Sequence, residues 1–184
     1  MKSSDVIRIL VEEFKERKNP IDAIVETRIR ISEIIAVKSV KSAISEDRWK
    51  LFKRLIKSES TWLRIIQCKE GSFLVIDGEA LSDAYESVER ACELLLDEYE
   101  KNSEYFKSTW GRDQLVDIAC SFSTEREKVV SEFTNEDMTA FSKNRADSFL
   151  DIIHWMQLGL AGDEPMNKFI EEINVALRLI ATIA

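Results

Sequence analysis

A chain of 184 residues with 45% hydrophobic and 33% charged side chains is long enough to bury a core of its own and too apolar to stay disordered throughout. Its formal net charge of −8 argues against a dedicated duplex-DNA binder, whose domain is usually basic. Charges at Lys2, Asp5 and Arg8 interrupt the stretch a signal peptide needs, and the longest charge-free apolar run, 152–162, is about half the ~20 residues that cross a bilayer; a cytoplasmic protein without a membrane partner is expected.

Five glycines and two prolines punctuate the chain. The runs between them, 21–70, 79–110, 112–158 and 166–184, carry no breaker, so long helices are predicted. Ser4 caps a first helix to about residue 18, with Val6, Ile7, Leu10, Val11 and Phe14 recurring at helical spacing. Asn19-Pro20 ends it and opens the next. Over 21–44 the apolar residues Ile24, Val25, Ile29, Ile31, Ile34, Ile35, Val37 and Val40 wrap most of the circumference, as in a helix at the middle of a bundle. Ser45 offers a further cap, after which Trp49, Phe52, Leu55, Ile56, Trp62, Leu63 and Ile66 continue at helical spacing. Within that run Ser58-Glu59-Ser60-Thr61 marks either a kink or a boundary between two helices.

Phe73-Leu74-Val75-Ile76, between Gly71 and Gly78, has strand-like composition, but so short a run without a partner makes no sheet; a buried extended linker is expected. Residues 79–102 form an amphipathic helix with Leu81, Ala84, Tyr85, Val88, Cys92, Leu95 and Tyr99 in one stripe. After Gly111 a short helix is predicted around 115–120, and Thr124 with Glu127 reads as a capping box that starts another. Asn135 caps a long helix through Phe149, Ile153 and Met156, and Pro165 opens the last, with Phe169, Ile173, Leu177 and Ile180. The fold expected is all-α: a single irregular bundle of six to eight helices over 1–184, without substantial sheet, centred on 21–44 or 135–159. The segment 71–78 is the candidate division between a basic N-terminal half and an acidic C-terminal half.

Charge is unevenly placed along the chain. Residues 1–70 carry 16 Lys or Arg against 11 Asp or Glu, and residues 71–184 carry 10 against 23. Lys50, Lys53, Arg54, Lys57 and Arg64 form a ridge on the third helix. Such a ridge either tracks the phosphates of nucleic acid or an acidic partner, or is the solvated back of a helix whose other face is core. Asp77, Glu79, Asp83, Glu86, Glu89, Glu93, Asp97, Glu98, Glu100 and Glu104 crowd the helix at 79–102 and its flanks; their mutual repulsion calls for a metal, a basic partner or the chain's own cations nearby, and a simply solvated outer face is the other reading.

Little else in the sequence marks a site. Cys68, Cys92 and Cys120 have spacings that fit neither a metal knuckle nor a disulfide framework; buried free thiols are expected. A single histidine rules out a multi-histidine metal centre. Arg28 and Arg30, set in an apolar helix, require partners; Glu26 and Glu33 are the nearest in sequence, and a buried anion is the alternative. Asp147, Asp151 and His154 share one side of a helix at four- and three-residue spacing. Opposite an acidic helix, that set is the raw material of a metal site in a bundle; His154 as a core-edge residue bonded to Asp151 or to a backbone carbonyl is the other reading.

The stretch from Asp151 to Gly159, with Asp97-Glu98-Tyr99-Glu100 and Phe106-Lys107-Ser108-Thr109-Trp110 upstream, resembles the metal-binding helices of the all-α nucleoside triphosphate pyrophosphatases, the MazG and dimeric dUTPase group. The resemblance implies a Mg²⁺ site formed by Asp97, Glu100 and Asp151, with His154 beside it, activating water to cleave a nucleotide between its α and β phosphates. The pattern departs from the family's at Ser148 and Asp97, and 166–184 has no counterpart of the family's phosphate-holding Lys and Asn.

The reading favoured from sequence is a helical interaction module without a cofactor. It docks on a protein partner, or on a second copy of itself, through charged faces and aromatic anchors, for which Trp62, Tyr105 and Trp110 are candidates. A Mg²⁺-dependent pyrophosphatase, active or not, is the first alternative, and a nucleic-acid-associated subunit using the 50–64 ridge is the second.

Overall fold

In a computed structural model, residues 1–17, 19–67, 78–101, 111–132 and 143–183 are described. They form seven α-helices: α1 (Ser3–Glu16), α2 (Pro20–Ser39), α3 (Glu46–Gln67), α4 (Gly78–Lys101), α5 (Arg112–Glu132), α6 (Lys143–Ala161) and α7 (Asp163–Ile183), with one 3₁₀ turn at Lys41–Ala43. No strand occurs among the described residues, and none of their helices is long and apolar enough to cross a membrane. The all-α expectation therefore holds. The segment 71–77, expected to be an extended linker, lies outside the described residues, as do Cys68, Tyr105 and Trp110.

The helix ends follow local chemistry. The Asn19 side chain accepts a hydrogen bond from the Ile21 amide at 3.0 Å, with Pro20 in the first position of α2. Ser4 does not cap α1, which starts one residue earlier; there the Lys2 amide donates to Asp5 Oδ2 at 3.1 Å, tying down the turn from below. Helix α2 stops at Ser39, short of residue 44, and the chain leaves it through the 3₁₀ turn. Between α6 and α7, Gly162 takes φ = 82°, a left-handed conformation that glycine adopts without the clash a Cβ would bring.

Two predicted boundaries are absent. Helix α3 runs unbroken through residues 58–61, where Ser58 donates to the Leu55 carbonyl and Ser60 to the Lys57 carbonyl. Those hydroxyls bond back along their own helix and leave its ladder intact. Helix α5 likewise continues across the Thr124–Glu127 pair. Leu115 and Phe122, seven residues apart and both ahead of that pair, are buried, so the helix is already formed and packed when it reaches the local capping signal.

The chain divides into two compact units, Met1–Trp49 with Ala161–Ala184, and Lys50–Leu160. In the first, α1, α2 and α7 pack pairwise as a three-helix bundle. Helix α2 meets both neighbours and buries Val25, Thr27, Ile29, Ile31, Ile35 and Ala36 around much of its girth, in keeping with its apolar circumference.

The second unit holds most of α3 with α4, α5 and most of α6. At its centre Trp62 of α3, Tyr85 of α4, Phe122 of α5 and Phe149 of α6 stack ring against ring. Trp62 lies 5.2 Å from Tyr85 and 4.6 Å from Phe149, and Phe122 lies 4.7 Å from Phe149. Edge-on and tilted pairs at these separations contribute about 0.5–1.5 kcal/mol each beyond the burial of their area. At Gly159 of α6, an added Cβ would meet the Leu95 side chain of α4 at 3.3 Å, so the two helices approach closely there.

Candidate functional site

Several of the charges the sequence singles out are engaged within their own unit. In the three-helix bundle, the buried Glu13 carboxylate of α1 accepts from Arg30 of α2 at 2.7 Å and from Arg17 at 3.4 Å. Arg30 also donates to Glu12 at 3.1 Å, and Arg17 reaches Glu26 at 3.8 Å. The expected partners of Arg30, Glu26 and Glu33, are thus replaced by two glutamates of the neighbouring helix. The bond that Arg30 donates to Glu13 raises the Arg30 pKa above its ordinary value against the opposing effect of desolvation. Arg28 keeps a buried Nε with no hydrogen-bond partner among the described residues.

In the second unit the crowded acids of α4 are met by arginines from three helices. Glu86 binds Arg90 at 2.7 Å and Arg54 of α3 at 3.6 Å, Glu89 binds Arg126 of α5, and Glu100 binds Arg112 at 3.5 Å. The hydrogen bond from Arg90 holds the Glu86 carboxyl below its ordinary range; desolvation opposes it, and the charges of Arg54, Arg90 and Arg126 assist. The repulsion read from the sequence is answered in part by the chain's own cations, at Glu86, Glu89 and Glu100. The polar groove between α4 and α5, of about 780 Å³, is lined by these paired Glu and Arg side chains with Glu93, Ser82, Ser123 and Cys120.

The basic ridge is a single face of α3, but its members differ in environment. Lys50 and Lys57 are exposed, Lys53, Arg54 and Arg64 are half-buried, and Arg54 is held by Glu86. Its basic stripe is therefore partly tied to the acidic helix beside it.

The proposed metal quartet is not assembled. Asp97 and Glu100 are exposed on α4, Asp151 and His154 are exposed on α6, and Glu100 is paired with Arg112. Among the described residues no group of three or more His, Cys, Asp or Glu side chains is placed to hold a metal ion.

Cys92 is buried and its Sγ lies 3.9 Å from the Met156 sulfur; burial pushes the thiol up to about 12. Cys120 is exposed, contrary to the expectation of a buried thiol. Trp62 is fully buried in the aromatic cluster, so the anchor suggested by residue type is core. Trp155, which is not among the anchors expected from sequence, is the tryptophan that α6 exposes, at 45%. Helical phase distinguishes the two: Phe149, Ile153, Met156 and Leu160 mark the inward face of α6, and Trp155 falls off it.

The most distinctive surface is apolar. Helix α1 buries Val6, Ile9 and Leu10 but exposes Ile7 at 42%, Val11 at 46% and Phe14 at 41%. Positions 7, 11 and 14 are i, i+4 and i+7, a continuous ridge about 100° around the helix from its buried face. The sequence pattern groups the apolar residues of α1 on one face; the structure splits them between a core and an outer stripe. The signal was an apolar arc wider than one contact face needs.

No family model, no curated protein and no solved structure matches this chain.

Proposed function

We propose that the protein is a helical protein–protein interaction module, and that the Ile7–Val11–Phe14 ridge of α1 is its principal contact surface. The observation that carries this reading is the exposure of three large apolar side chains in register on one helix. Singly exposed apolar residues are ordinary, whereas a contiguous ridge is the mark of a docking surface. The three side chains are already more than half covered, so burying what remains of each is worth on the order of 1 kcal/mol, which offsets part of the cost of association. The occupant suited to the ridge is the apolar face of a helix, which lays its own i, i+3, i+4 and i+7 residues alongside. That helix belongs to a partner chain or to a second copy of this one.

Charge adds selectivity around the ridge. Arg8 lies at its edge, paired with Glu12 at 3.4 Å, and such rim charges tune encounter and orientation more than affinity. Val11→Glu places a carboxylate in the middle of the ridge without touching the buried face. Proteins co-purified with the tagged wild-type chain, and absent with Val11→Glu, are the expected partners; Asp117→Asn on α5 serves as the control that retains them. Equal recovery with all three proteins contradicts the assignment. Sedimentation velocity then identifies the occupant: a wild-type dimer converted to monomer by Val11→Glu is a second copy, and a monomer in both cases points to a different chain.

A further inference from the structure

Helices α3 and α4 enclose a groove of about 250 Å³, lined at one side by Arg54, Lys57, Ser58, Ser60 and Thr61 and at the other by Ala80, Asp83, Ala84 and Ser87. That volume is below the range of drug-sized sites and suits a small metabolite. Its polar groups are sorted in an informative way. The Ser58 hydroxyl donates to the Leu55 carbonyl at 3.0 Å, Ser60 to the Lys57 carbonyl at 2.6 Å and Ser87 to the Asp83 carbonyl at 2.6 Å. A hydroxyl has one proton to give, so toward the groove these three serines present lone pairs alone. On the α4 side Ser87 and the exposed Asp83 carboxylate are acceptors that favour an ammonium group, while Ser58 and Ser60 share the α3 side with Lys57 and Thr61.

The donors are different residues. Lys57 forms no ion pair among the described residues, whereas Arg54 is already held by Glu86 at 3.6 Å. Thr61 is 94% buried (6% exposed), lines the groove, and its hydroxyl has no hydrogen-bond partner among the described residues. Its oxygen keeps some accessible surface, so it can donate to a ligand oxygen that enters the groove. Lys57 and Thr61 together offer one charged and one neutral donor to an anionic group, and a dianion without a cationic part would meet Asp83 across the groove.

We infer that this groove binds a small zwitterion, its carboxylate or phosphate received by Lys57 and Thr61 on α3 and its ammonium by Asp83 and the Ser87 hydroxyl oxygen on α4. Free α-amino acids and O-phosphoethanolamine share that chemistry. The site lies on helices separate from the α1 ridge, so it stands or falls independently of the docking surface.

The test is a titration of the full-length ¹⁵N-labelled protein with the proteinogenic amino acids and with O-phosphoethanolamine, followed at the amide resonances of Lys57, Thr61, Asp83 and Ser87. At least one probe is expected to shift these resonances saturably and to raise the melting temperature; whether the responder is an amino acid or the phosphate compound tells which source the groove is built for. The N-acetyl derivative of the responder, which lacks the ammonium, should bind about tenfold more weakly, as should the parent compound on Lys57→Met, Asp83→Asn or Thr61→Val. The first two substitutions are at exposed positions and the third preserves side-chain shape, so far-UV circular dichroism should be unchanged. Binding that survives acetylation undiminished, or the absence of a saturable shift with every probe, overturns the inference.

Discussion

Trp62 illustrates how residue type and residue position part company. Its indole is enclosed by Tyr85 and Phe149 with no exposed surface, and Trp62→Ala is expected to cost about 3–5 kcal/mol in urea denaturation through the cavity it leaves. A loss under about 1 kcal/mol would remove it from the core. The helical spacing with Phe52, Leu55 and Ile56 already indicates burial; the expectation of an anchor rests on the general enrichment of tryptophan at interfaces, which does not know the phase of the helix. The same comparison at α6 recovers Trp155.

The thiols separate in the same manner. Cys92, pushed up to about 12 by burial and by the nearby Glu89 and Glu93 carboxylates, stays protonated in the folded protein at pH 8, while Cys120 is exposed. A thiol reagent at that pH should label Cys120 readily and Cys92 only after unfolding; equal labelling of both in the native state would contradict the placement. The linked effect on stability follows from the sign of the shift. The folded-state pKa lies above the unfolded value of about 8.5, so the contribution of neutral Cys92 is complete below that pH and is lost as pH rises toward 12.

At the scale of elements, the helices were legible because Gly and Pro are so few and the apolar residues so periodic. What the sequence concealed were events that tertiary packing decides. The Thr124–Glu127 pattern is a sound local start signal, yet α5 is already under way there, packed through Leu115 and Phe122, and runs on through it. Likewise Ser58-Glu59-Ser60-Thr61 reads as a weak point, but two of its hydroxyls are absorbed by carbonyls of α3. Gly162 is the break that survives, and it does so for a backbone reason: φ is 82°, and beyond its own neighbouring backbone a Cβ added there would meet no atom within 4 Å. Gly162→Ala should therefore lower stability by about 1–2 kcal/mol through conformation alone, measurable by urea denaturation. A neutral or stabilising outcome would show that the α6–α7 turn can be made without a left-handed residue. The α1 ridge belongs to this scale as well: the apolar residues of α1 were visible, and their division into inner and outer sets depended on where α2 and α7 sit.

For the whole molecule, the charge asymmetry along the sequence changes meaning once the chain is folded. The unit of α1, α2 and α7 holds 12 Lys or Arg against 13 Asp or Glu, and the other unit 14 against 21. The basic stretch of α3 and the acidic helix α4 therefore belong to one unit, joined through Arg54 and Glu86. A basic half and an acidic half, plausible from a linear count, are not how the chain is divided.

This internal pairing has an acid-side consequence. The Glu86 carboxyl is held low by Arg90, so its stabilising contribution is present above the unfolded-state pKa of about 4.3 and is lost as pH falls through the lower folded-state value. Because the pair is partly exposed, the effect is small. The melting temperature of Glu86→Gln should lie slightly below the wild type at pH 7, and the two should converge under acid; a constant gap down to about pH 3 would contradict the pairing.

The central claim is that a partner occupies the α1 ridge, and a photo-crosslinking amino acid placed at Val11 tests it most directly. Illumination of cells expressing this protein should yield one discrete higher-mass adduct that disappears when Ile7 and Phe14 are also changed to serine. The same crosslinker at Asp117, on α5, should not form it. A Val11 crosslinker that gives no discrete adduct, or the same adduct from Asp117, would contradict the account.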